Sequence, residues 1–288
     1  MDSFSKVYET VINPVSKEIE LIKNKMLSSI SDCPNISEDI RTLFAAPSKF
    51  IRSAMCLLFL KTYGIEITSK HIDLLTATEL IHNASLIHDD TIDEADKRRS
   101  IQTLNTKFSS KLAVLAGDYV LSIAMQMIAA LEQHNITEKF AKTLQLMTEA
   151  ELNQYFTKFQ IPSIEQYIKK SKNKTAQLFN TALESCLIIS ETEIEEASDF
   201  ALNFGIAFQL RDDLKNVSAT NEGKPVLSDI QNGIYTAPYI FAQGLTIDND
   251  AIEKSKDLLN NYIRRANITI RRENKEYLLN LIRILENV

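Results

Sequence analysis

An all-α protein is what this sequence predicts, and three observations carry the prediction. Apolar residues recur at three- and four-residue spacing almost throughout the 288 residues, the pattern of helices with one buried face. Only six glycines and six prolines occur, well under the usual share of about 7% and 5%, so turn residues for many short strands are missing. No internal repeat, low-complexity tract or linker divides the chain. The expectation is one domain, residues 1–288, a bundle of about ten or more helices.

The elements follow in chain order. FIRSAMCLLFLKTY, residues 50–63, and a long run from Ser69 to Asp93 read as the first strongly apolar helices. LAVLAGDYVLSIAMQMIAALEQ (112–133), KFAKTLQLMTEAELNQYF (139–156), the segment carrying KTAQLF (174–179), FGIAFQLRDDLKN (204–216) and EYLLNLIRILENV (276–288) continue the pattern. Breaks fall at Cys33-Pro34-Asn35, Ala46-Pro47, Tyr63-Gly64, Gln133-His134-Asn135 and Ile161-Pro162-Ser163, and across Ser218 to Gly233.

Composition narrows the function classes. The net charge is −6, from 38 acids and 32 bases spread along the chain, with no basic arm, so nucleic acid is not an expected partner. Cys33, Cys56 and Cys186 form no CxxC, which suits reduced thiols and the cytoplasm. Neither a signal sequence nor a transmembrane segment of roughly 18 apolar residues is expected.

The chemistry concentrates in SLIHDDTIDEADKRRS, residues 85–100, at the end of the Ser69–Asp93 helix. His82, Asp89 and Asp93, seven and four residues apart, share a helix face. Alone, that stripe reads as a solvated face. A second acidic helix end, Asp212-Asp213, changes the weighing, because hard cations such as Mg²⁺ take oxygen ligands and often share substrate phosphates. Lys97, Arg98 and Arg99 would then contact phosphate oxygens.

HNASLIHDDTID followed by Arg98-Arg99, with AGDYVLS, KTAQLF and GIAFQLRDD in that order and spacing, resembles a trans-isoprenyl (polyprenyl) diphosphate synthase, over residues 47–242. The resemblance implies the isoprenoid synthase fold around a deep apolar cavity, a homodimer, and Mg²⁺-dependent condensation of isopentenyl diphosphate with an allylic diphosphate. It implies Asp89, Asp93 and Asp212 as metal ligands, with Asp90 and Asp213 in the outer shell. Arg98, Lys174 and Lys224 match the allylic diphosphate site; Lys49, Arg52, His82 and Arg99 match the isopentenyl site; Thr175 and Gln209 match residues whose oxygens face the carbocation. Small residues at Ala84 and Ser85, with Met125 beyond, imply a medium-to-long chain, such as a quinone side-chain precursor. A short-chain farnesyl or geranylgeranyl synthase and a regulatory subunit of a heteromeric synthase stand as alternatives.

The chain departs from the family pattern at Phe50 and Ser53, where arginine and proline are expected, at Ser100 for glycine, at Asn216 for an acid, and at Ile234 for a second lysine. A class I terpene cyclase would carry an asparagine, serine and glutamate motif where Asp212-Asp213 stand. A metal phosphohydrolase built on His88-Asp89 needs an upstream histidine, for which His71 is a poor candidate.

Overall fold

The computed structural model describes residues 3–30, 35–220, 232–273 and 275–286, and it is all-α apart from one two-residue hairpin. Cys33 and Lys224 lie outside the described residues. The helices are α1 (Ser3–Ile12), α2 (Ser16–Ser29), α3 (Ser37–Ala45), α4 (Ile51–Thr62), α5 (Ser69–Ile92), α6 (Leu104–Lys107), α7 (Ser110–Ala129) and α8 (His134–Phe156). Then come α9 (Ile164–Ser171), a π-helical turn (Lys172–Ala176), α10 (Gln177–Ile189), α11 (Ala197–Thr220), α12 (Ala237–Ala242), α13 (Asn249–Thr269) and α14 (Glu276–Arg283). The predicted breaks at Tyr63-Gly64 and Ile161-Pro162-Ser163 fall between helices.

The chain forms two compact units: residues 12–138 with 188–190, and residues 1–11, 139–187 and 191–288. They are called here the N-terminal and C-terminal units.

In the N-terminal unit α4 is buried on every side from Ile51 to Leu60, as expected of a helix apolar all round. The paired helices α5 and α7 make its most extensive packing. At the start of α5, Thr68 caps through a reciprocal bond with the His71 ring, whose Nε2 meets the Ser190 hydroxyl at 2.9 Å. Lys97–Arg98 and Ile101–Gln102 pair as antiparallel strands β1 and β2. The sequence showed no strand here, because the turn residues Arg99 and Ser100 are not glycine or asparagine. Both nonetheless hold left-handed backbone, with φ of 50° and 67°, the requirement of a tight two-residue hairpin.

One expectation needs correction. By length and composition α7 passes the measure for crossing a membrane, because from Leu112 to Ala129 Asp118 is the one charged residue. It packs along α5.

In the C-terminal unit Ser163 opens α9 with a capping box shared with Gln166. α11 packs along α13 and against the π turn. Phe179 meets Phe204 edge-on at 5.6 Å between centroids, with Phe208 at 5.9 Å. Gly205 permits the close approach: a β-carbon there would stand 2.6 Å from Ala176 Cα.

Candidate active site

In the N-terminal unit the last three turns of α5 present His82, Ser85, Leu86 and Asp89 half-buried, while Asp93 is exposed. This is the stripe that helical spacing implied. Ala84, on the adjoining face, is 1% exposed. Met125, on α7, is half-buried.

Asp90 is turned inward and accepts two hydrogen bonds from Arg98, from Nε to Oδ2 and from Nη2 to Oδ1, each 2.7 Å. This bidentate pair ties the hairpin back to the end of α5. Arg98, matched to the allylic diphosphate, is therefore held on Asp90 in this structure.

Arg52, in the first turn of α4, is 7% exposed. It, Arg99 and Arg98 stand close enough to His82 to press its pKa down, although burial is the larger cause; together they hold the imidazole well below its ordinary range. The counter-charge is Glu79, one turn before His82 on α5 and fully buried. Burial pushes the Glu79 carboxyl up, and Arg52, Ser53 and Arg99 oppose that rise. Ser53 donates to Glu79 Oε1 twice, from its hydroxyl at 2.7 Å and its backbone N–H at 3.2 Å. The serine that departs from the family's proline thus supplies two bonds that proline lacks. Phe50, at the other departure, is buried in left-handed conformation just before α4. Lys49 is exposed beside it.

His88 lies in a slot on α7. Its Nε2 is 3.3 Å from Val114 O and 3.2 Å from Asp118 Oδ1, and its ring fills the space left by Gly117.

In the C-terminal unit the π turn carries Lys174 and Thr175. Such turns insert one residue into a helix and recur at functional positions. Lys174 pairs with Glu151 of α8. Thr175 donates to Gln209 Oε1 at 2.8 Å, Gln209 Nε2 donates to Asp213 Oδ1 at 2.9 Å, and the Tyr167 hydroxyl donates to Asp213 Oδ2 at 2.5 Å. Asp213 is buried, whereas the side chain of Asp212 is 45% exposed beside Arg211. Asn216 is exposed one turn further on. Ile234 lines, with Gln154, Tyr167 and Lys170, a groove of about 350 Å³.

Spacing reasoning missed Glu79, Glu151 and Tyr167. Glu79 carried a signal, three residues before His82 in an otherwise apolar stretch. For the other two no local signal exists, since their partners lie 23 and 46 residues away.

Among the described residues, no group of three or more His, Cys, Asp or Glu is poised to hold a metal. What the chain offers is Asp89 and Asp93 one turn apart, and a partly exposed Asp212. All are hard oxygen donors, which suits a cation that keeps water and substrate oxygens as its other ligands.

The family model described as Polyprenyl synthetase matches residues 33–281. A prenyl transferase of Cyanophora paradoxa is 34% identical over 241 residues, spanning 81% of this chain and 75% of that protein. Solanesyl diphosphate synthase 1, chloroplastic, of Arabidopsis thaliana is 31% identical over 247 residues, spanning 81% of this chain and 60% of that protein. The crystal structure of a decaprenyl diphosphate synthase from Rhodobacter capsulatus superposes with a TM-score of 0.87 at 23% identity, covering 98% of this chain and 99% of that one.

Proposed function

The chain belongs to the polyprenyl synthetase family, and from that premise we propose that it condenses isopentenyl diphosphate with an allylic diphosphate into a medium-to-long all-trans polyprenyl diphosphate. The observation that carries the reading is the cluster of arginines around His82. Arg52, Arg98 and Arg99 bear on one neutral imidazole against two buried acids, Glu79 and Asp90, the second already paired with Arg98. Such an excess of guanidinium charge calls for an anion, and diphosphate supplies one with oxygens suited to forked contacts.

Each residue has a role in this reading. Lys49, Arg52, His82 and Arg99 bind isopentenyl diphosphate, and Glu79 orients Arg52. Arg98 and Lys174, with Lys224, bind the allylic diphosphate; Arg98 then exchanges Asp90, and Lys174 exchanges Glu151, for phosphate oxygens. Thr175 and Gln209 set an electron-rich oxygen against the allylic carbon as its bond to diphosphate breaks. Asp89, Asp93 and Asp212 would hold Mg²⁺, which when bound draws negative charge off the departing diphosphate.

Ala84, Ser85 and Met125 are proposed to set product length. The small pair and the solanesyl name of the Arabidopsis relative support a chain longer than farnesyl. We also propose a homodimer, by likeness to the family, and a cytoplasmic setting, with which the buried Cys56 and Cys186 and the lack of a CxxC pair in the sequence agree.

The test is direct. The purified chain is incubated with isopentenyl diphosphate, Mg²⁺ and each allylic primer, and products are sized by chromatography. Polyprenyl diphosphates beyond farnesyl are expected. Absence of condensation from every primer overturns the reading.

A further inference from the structure

Tyr167 belongs to none of the motifs above, yet it is 1% exposed and its hydroxyl donates to Asp213 Oδ2 at 2.5 Å, the length of a charge-assisted bond. From there the bonds run in one direction. A carboxylate only accepts, so Gln209 must turn its NH₂ toward Asp213 Oδ1. Its carbonyl oxygen then faces Thr175 and leaves the Thr175 hydroxyl no role but donor. With its proton committed, Thr175 keeps only lone pairs for whatever stands on its other side.

We propose that Tyr167 is a positioning residue that fixes the direction of this chain, so that Thr175 presents lone pairs alone to the allylic group as positive charge develops. The inference rests on the function proposed above and adds the residue on which its electrostatics depend. Geometry gives Tyr167 this control. It comes from α9, across from α11, and holds the carboxylate oxygen that Gln209 does not. Without it Asp213 loses the donor on Oδ2, and the acceptor that orients the amide is held less firmly. Burial first, and then the neighbouring Asp213 charge, push the Tyr167 phenol well above its ordinary range, so it stays a donor across the working pH.

The experiment compares two inhibitors by calorimetry on the full-length protein. One is an allylic diphosphate analogue with an ammonium at the position where cation develops; the other is an allylic thiolodiphosphate with no cationic centre. Tyr167→Phe keeps the ring and deletes only the hydroxyl. It is expected to weaken the ammonium analogue about tenfold more than the thiolodiphosphate, less than the about 10²–10³ of a donor in direct contact with the reacting atoms. In turnover, kcat should fall with both KM values within about twofold, since the interaction strengthens only in the transition state.

Equal weakening of both analogues, or of neither, overturns the proposal. Should Tyr167→Phe fail to fold, 4-fluorophenylalanine at this position fills the place of the hydroxyl with no proton to donate. An unchanged ratio of the two affinities then overturns it equally. If the wild-type protein itself condenses no primer, the functional reading fails and takes this inference with it. If the wild type is active and the variant's ratio is unchanged, only the role of Tyr167 is lost.

Discussion

The ring of His88 occupies the place where a side chain at position 117 would begin: a β-carbon on Gly117 would stand 2.3 Å from His88 Nε2. One residue before Asp89, this contact sets how α5 lies on α7 and so where the first aspartates are carried. Gly117→Ala should destabilise by about 1–3 kcal/mol, the usual cost of overpacking. Removing the ring as well, in His88→Ala with Gly117→Ala, should recover part of that loss in a double-mutant cycle followed by urea unfolding. Strict additivity would show that the contact is not the cause.

Ser53 and Glu79 yield a second expectation. Ser53→Ala leaves a buried carboxylate short of one donor and should cost about 1–3 kcal/mol. Ser53→Pro, the family's residue, removes both donors and should cost more. Chemical denaturation measures each, and a neutral Ser53→Ala would mean that the backbone N–H of residue 53 and the Arg52 charge suffice for Glu79.

His82 makes stability depend on pH with a definite sign. Its folded pKa lies well below its ordinary 6.5, so as pH falls through 6.5 the unfolded chain takes up a proton that the folded chain refuses. The folded state is therefore penalised in mild acid, by up to about 1.4 kcal/mol per pH unit. His82→Gln should lose less stability than the wild type between pH 7.5 and 5.5. Parallel losses would show that His82 protonates normally in the fold.

Asp89→Ala or Asp212→Ala should lower turnover by about two orders of magnitude or more with circular dichroism unchanged, because these side chains are half-exposed and contribute little to packing. Asn216→Asp should be tolerated, since Asn216 is exposed. Full activity in either alanine variant would remove those carboxylates from the metal assignment.

For product length the two small residues separate. Ser85 shares the half-buried stripe with Asp89, one turn away, whereas Ala84 is buried on the adjoining face. Ser85→Phe should shorten the product toward farnesyl or geranylgeranyl length with the fold intact. Ala84→Tyr should shorten it and also lower the melting temperature, having no open space of its own. Unchanged products from both variants would dissociate this stretch from length control.

The helices and the acidic end of α5 were legible because a 3.6-residue period projects spacing onto a face, and His82, Asp89 and Asp93 obey it; Asp212 and Asp213 lie within α11, which runs on to Thr220. That projection ends at the helix. Tyr167 and Asp213 are 46 residues apart, and nothing local records that α9 and α11 meet. The hairpin escaped for another reason: Arg99 and Ser100 adopt left-handed backbone that their residue types do not advertise. The metal phosphohydrolase reading also fails on distance. His71 caps the start of α5, 18 residues before Asp89, which at 1.5 Å per residue places them roughly 27 Å apart.

The π turn at Lys172–Ala176 also constrains how this chain can be edited. A π turn holds one residue more than the α turn it replaces, so α9 and α10 run about 100° out of phase with an uninterrupted helix. Deleting one residue there would restore regular winding and rotate Tyr167 away from Asp213 while Lys174 and Thr175 keep their partners on α8 and α11. A transplanted α9–α10 segment would thus work only if it carried the extra residue, however similar its side chains.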